Sequence, residues 1–190
     1  MSTTYAKSDT FRYSPVLVGL HWFMALLLAA VYASIQLRVL YPKGTDMRDF
    51  MKALHFMLGI SVLLLVVFRL AARWMSPKPE KRPMLGLEKV IDRAASLGHL
   101  ALYGLMVVMP LLGWLALSAA GKPIPFFGLE LPPLMAPNKT WAHDIKEVHE
   151  AIGEASYWLV GLHVVAALGH HYVLKDGLLA RMSLRRAPSA

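Results

Sequence analysis

Eight histidines are many for a chain this apolar, and their placement is ordered. His21, His55, His99, His163 and His170 fall within apolar runs, and His149 stands at the entrance to one. An ionisable side chain inside a bilayer is costly and is a functional candidate by default. His149 and His163 are 14 residues apart, which on a helix is about 21 Å of rise and close to whole turns. They therefore share one stripe at two depths. His170, seven residues further on, continues that stripe, whereas His171 points away from it. Imidazole is a good ligand for iron, and two imidazoles on one iron make a six-coordinate electron-transfer haem. Matching depth along antiparallel helices pairs His55 with His149 near one face. It pairs His21 with His163 near the other. His170 is the first substitute for His163. The segments His55-Phe56-Met57-Leu58-Gly59 and His149-Glu150-Ala151-Ile152-Gly153 share a His-x-x-x-Gly pattern. In each, the glycine lies one turn from the imidazole on the same face, with room for a flat ring against the backbone.

Four apolar runs of the length that crosses about 30 Å of hydrocarbon must position these side chains. They are predicted over about 15–37, 54–72, 97–119 (with Pro110 inside) and 152–174, as one bundle spanning 1–190. The expected fold class is therefore an all-α membrane protein, a four-helix transmembrane bundle. Composition agrees, with 56% hydrophobic and 17% charged residues and a mean hydropathy of +0.47. Soluble domains carry about 25% charged residues. No small-residue cleavage site follows the first run, so it is expected to remain as a helix.

The absence of cysteine removes disulfides, c-type haem attachment and thiolate metal sites. Net charge is +8, but the basic residues flank the apolar runs rather than forming a stripe for nucleic acid. They divide thirteen to seven between the two sides, the larger share lying with the termini and the second connection. The positive-inside rule then places both termini in the cytoplasm. The eleven methionines read mainly as packing or lipid-facing residues, and Trp22, Trp74, Trp114, Trp141 and Trp158 mainly as interfacial belts. No phosphate-binding glycine loop, nucleophile elbow or paired-carboxylate motif is present, so hydrolase and nucleotide-driven chemistry lack support.

These residues resemble the bacterial cytochrome b561 family of dihaem membrane proteins. The resemblance rests on Gly19-Leu20-His21-Trp22, Leu54-His55-Phe56 to Gly59, Leu97-Gly98-His99-Leu100 and Val148-His149 to Gly153. The most specific stretch is Gly161-Leu162-His163 to Gly169-His170-His171-Tyr172, with Lys175-Asp176. It implies two b-type haems on His21, His55, His149 and His163, in a bacterial inner-membrane protein.

Within the family the chain is similar to the superoxide oxidase branch. That implies oxidation of superoxide at the outer face, release of dioxygen, and reduction of ubiquinone near the inner haem, with His99 and His170 as quinone contacts. A neutral imidazole can donate a hydrogen bond to a quinone carbonyl. Arg69 and Arg73 are expected as haem propionate partners by charge and depth. Arg38, Lys43, Arg48 and Lys52 are expected to guide the superoxide anion. The expected partners are lipid and these small molecules. The alternative is a haem-binding relay subunit that passes electrons between quinone and a dehydrogenase or cytochrome. A metal or proton transporter using the same histidines is a third reading.

Overall fold

The computed structural model describes residues 13–76, 86–175, 179, 182 and 183. The inner-side cations Lys7, Arg12, Lys78, Lys81, Arg82, Arg181, Arg185 and Arg186, on which part of the topology reading rests, lie outside the described residues, as does Asp176.

Four long helices form the fold: α1 (Pro15–Leu37), α2 (Asp46–Met75), α3 (Leu87–Ala119) and α4 (Lys139–Gly169). Each is long and apolar enough to cross a bilayer. Local chemistry fixes the starts. Before α1, the Ser14 hydroxyl accepts the Leu17 N–H at 3.3 Å, and Pro15 occupies the first helical position. Asp46 and Asp49 lie in the first turn of α2, where acidic groups oppose the positive helix end. Asn138 caps α4 by accepting the Trp141 N–H at 3.1 Å.

The first helix has the bounds expected of it, but the other three begin well before their apolar runs. α2 starts at Asp46 rather than near 54, α3 at Leu87 rather than near 97, and α4 at Lys139 rather than near 152. Hydropathy marks only the part of a helix suited to lipid, whereas capped polar turns continue into the aqueous boundary. Trp141 and His143, expected in a connection, thus stand on α4. Arg73, Lys89 and Arg93 likewise stand on α2 and α3 rather than between them. α3 runs through Pro110 without interruption. At its inner end α4 opens into one π turn, His170–Leu174, closed by Lys175 in the left-handed region at φ 52. A two-residue hairpin, β1 (Pro125–Phe126) with β2 (Leu129–Glu130), lies in the third connection.

The helices pack in chain order, α1 on α2, α2 on α3 and α3 on α4. No Cα of α4 comes within 8 Å of one in α1 or α2 among the described residues. The interior between these backbones is crossed by side chains instead. Tyr32 on α1 hydrogen-bonds Ser156 on α4, and Gln36 donates to the Tyr157 hydroxyl at 2.7 Å. The close-packed core is small: Leu17, Val18, Met24, Ile60, Val62, Val66, Leu117, Ala119 and Ile124 are its buried apolar members. Most remaining apolar surface faces outward, as expected of helices solvated by lipid.

Candidate functional site

Two histidine constellations occupy the interior at different depths. In the outer one, His55 stands nine residues into α2 and His149 ten residues into α4, so the antiparallel helices bring them to one level. Their ring centres are 6.2 Å apart and the rings are nearly perpendicular, at 87°. In the inner one, His21 and His163 have ring centres 6.3 Å apart. His99 on α3 also approaches His163, at 5.6 Å, so His163 has two imidazole neighbours.

These spacings suit a metal between two imidazoles. An imidazole–metal bond of about 2.0 Å, plus about 1.1 Å from each nitrogen to its ring centre, would put two imidazoles that share a metal about 6.2 Å apart. Tautomers follow from neighbours. The His55 Nδ1 lies 3.1 Å from the Val31 carbonyl oxygen, so that nitrogen carries the proton and Nε2 keeps its lone pair. The His149 Nδ1 is buried and has no hydrogen-bond partner. At the inner level an Arg69 nitrogen lies 3.4 Å from the His21 Nδ1. Guanidinium cannot accept, so this contact leaves the His21 proton on Nε2; holding iron at Nε2 would require Nδ1 to give up the Arg69 contact and carry the proton instead.

The outer pair borders a cavity of about 430 Å³ whose walls include Tyr32, Arg38, Gly59, Met106, Met109, Gly113, Trp114, Glu150 and Gly153. A Cβ added at Gly59 would meet nothing within 4 Å, and one at Gly153 would meet only the Met109 methyl at 3.5 Å. The two glycines one turn beyond the histidines therefore both face this space, which suits a flat macrocycle. Gly113, which carries no motif of its own, lies against His149: a Cβ there would be 3.4 Å from the imidazole Cε1, in van der Waals contact. The donor set, the spacing and the open space all fit a haem.

The basic candidates separate by environment. Arg38 lines the cavity, whereas Lys43, Arg48 and Lys52 do not. Arg48 donates to the carbonyls of Arg38 at 3.1 Å and Tyr41 at 2.7 Å, stapling the connection after α1. Lys52 pairs with Asp49 at 2.7 Å, and Lys43 is exposed in the loop. Arg69 is engaged within the bundle, donating to the Leu17 carbonyl at 3.0 Å and the Tyr103 hydroxyl at 3.2 Å. Arg73 is exposed, as is His99, while His170 is half-buried at the start of the π turn. His171 is exposed, as its position off the stripe implies.

Other residues came from outside the expected set. Trp114 lines the cavity and ties the third connection down by donating to the Pro132 carbonyl at 3.0 Å. Met106 and Met109 also form the cavity wall. Ser156, 2% exposed, lies seven residues from both His149 and His163 and bonds Tyr32 between the two levels. Its place on the histidine stripe was the available signal.

The comparisons with known proteins agree along nearly the whole chain. The family model for prokaryotic cytochrome b561 matches residues 12–183. Cytochrome b561 homolog 1 of Escherichia coli K12 is 35% identical over 175 residues, 92% of this chain and 98% of that protein. A Yersinia pestis protein named probable superoxide oxidase CybB is 35% identical over 171 residues, 90% of this chain and 95% of its own length. Cytochrome b561 homolog 2 of E. coli K12 is 30% identical over 172 residues, 90% of each chain. With the apolar four-helix fold and the paired imidazoles, this match establishes that the chain belongs to the prokaryotic cytochrome b561 family.

Proposed function

We propose that this membrane haem protein is a dihaem superoxide:ubiquinone oxidoreductase. Family membership makes it a b-type cytochrome of the bacterial inner membrane with an electron-transfer role. The finer reading rests above all on the two imidazole pairs, His55–His149 at 6.2 Å and His21–His163 at 6.3 Å. The name of the Yersinia relative supports the choice of superoxide as donor.

His55 and His149 would hold the outer haem, and His21 and His163 the inner one. When bound, each haem supplies a one-electron iron couple. His163 approaches both His21 and His99, and its separation from His21 is the one close to that of the outer pair. Val31 orients His55 through its carbonyl, and Gly113 lies against His149. The net reaction converts two superoxide anions, one ubiquinone and two protons into two dioxygen molecules and one ubiquinol. Superoxide needs no proton donor at entry, because it leaves as dioxygen after losing one electron. Cations near the outer site raise the local concentration of an anionic substrate. Of the expected guides, Lys43 carries the exposed charge, since Lys52 is paired with Asp49 and Arg48 staples a loop. At the inner face, His99 and His170 are the proton-donating contacts for the quinone, and Arg73 is the exposed cation for an inner propionate. With more cations beside the termini and the second connection, both termini face the cytoplasm.

The test is to generate superoxide enzymatically with the purified chain and ubiquinone and to follow haem reduction and ubiquinol formation. Both should proceed with no second protein. Silence under superoxide flux, with ready reduction by a quinol or protein donor, would instead favour a relay subunit.

A further inference from the structure

Arg38 follows the last turn of α1 and lines the same cavity as His55 and His149. Its Nε is buried and has no hydrogen-bond partner. No carboxylate lies within ion-pair distance of its guanidinium among the described residues. Two acidic residues border the cavity, Glu150 and Glu154. Glu150 is paired with Lys146 at 2.8 Å, and Glu154 is exposed. The loop around Arg38 is held by Arg48, whose guanidinium grips the Arg38 and Tyr41 carbonyls. The backbone is thus fixed while the Arg38 side chain lacks an anion.

A buried guanidinium N–H without an acceptor is unfavourable. Its planar fork matches a carboxylate in a two-point contact that the point charge of lysine does not reproduce. A cation lining the outer cavity, with no anion supplied by the protein, calls for one brought in by the occupant. We propose that Arg38 binds a carboxylate side chain of the macrocycle held between His55 and His149, so that it anchors that group rather than guiding superoxide. This rests on the haem reading above and adds a residue and a chemical contact to it.

Pairing with Arg38 offsets a negative charge close to the outer iron. Without the arginine, the bare carboxylate favours the oxidised form. The experiment is a redox titration of the haem-loaded chain and of Arg38→Gln, with the inner haem as internal reference. The outer reduction equilibrium should move at least tenfold toward the oxidised form, about 59 mV for one electron, while the inner one stays in place. Both proteins are also titrated with free haem and with its dimethyl ester, which lacks free carboxylates; Arg38→Gln should weaken outer binding of the free acid at least tenfold and leave that of the diester unchanged. If Arg38→Gln does not retain the outer haem, the comparison is read as affinity, and the loss must be larger for the free acid than for the diester.

Unchanged outer potential at full haem content overturns the proposal, as does a loss of affinity of equal size for the diester. A fall in superoxide capture with the potential in place would return Arg38 to a guiding role. Failure of the wild-type chain to bind any reducible haem would instead defeat the haem reading itself.

Discussion

Gly59 offers a sharp steric test, because the protein alone and the loaded protein demand opposite outcomes. An added Cβ there meets no heavy atom within 4 Å, and the position lies inside α2. In the protein without cofactor, Gly59→Ala should therefore raise stability by about 0.5–1 kcal/mol, the usual helix cost of glycine relative to alanine. Gly59→Leu should be similarly tolerated, since its branched end enters a cavity of about 430 Å³. With a flat ring lying against Gly59, the leucine must displace it, and overpacking of this kind costs about 1–3 kcal/mol. Because the helix gain applies with and without the ring, outer haem affinity should fall by about 1–3 kcal/mol, on the order of 5- to 150-fold. The assay is haem titration of Gly59→Leu with thermal unfolding of the empty and loaded forms. The empty variant should melt no lower than wild type and lose the outer haem while keeping the inner one. Full loading at unchanged affinity would refute the placement of the ring beside Gly59, and a large loss of empty-state stability would refute the claim that this space is open.

Further outcomes follow from the same geometry. His55→Ala and His149→Ala should each remove the outer haem and spare the inner one, and His21→Ala and His163→Ala should do the reverse, as read from the reduced-minus-oxidised spectrum. Retention of two bis-imidazole haems in any of the four would break the pairing. His99→Ala with His170→Ala should slow ubiquinone reduction at least tenfold in stopped-flow measurements with the haem spectrum intact; unchanged kinetics would remove both from the quinone site. Lys43→Gln should flatten the salt dependence of superoxide capture, because exposed charges act through a field screened over about 10 Å at 0.1 M salt. Arg48→Ala should lower stability by about 1.5–3 kcal/mol through the loss of charge-assisted bonds, and equal melting temperatures would show that its loop contacts are dispensable.

The parts of this molecule set by local periodicity were legible in the sequence. The hydropathy of Pro15–Leu37 marks α1 at both ends, since capping and apolar length coincide there. It understates α2 and α4, because Asp46 to Lys52 and Lys139 to Val148 are helical yet charged and lie at the aqueous boundary. The 14-residue spacing of His149 and His163 fixes their common stripe, and the antiparallel order of helices brings His55 and His21 to the matching levels. Which cations remain available was not legible. The Arg48 contacts with Arg38 and Tyr41, and the Arg69 contacts with Leu17 and Tyr103, depend on how a connection and two helices pack. The same holds for the close approach of His99 to His163, where two helices supply a neighbour to one imidazole. Gly113 carried no signal of its own, because its role exists only once α3 faces His149.

The most direct test of the central claim, that two imidazole pairs each hold a haem, is the haem-to-chain ratio of the purified protein, from pyridine haemochrome absorbance and quantitative amino-acid analysis. The account predicts two b-type haems per chain, falling to one in His149→Ala and to one in His163→Ala. A wild-type ratio of one, or a ratio of two that survives either substitution, would contradict it.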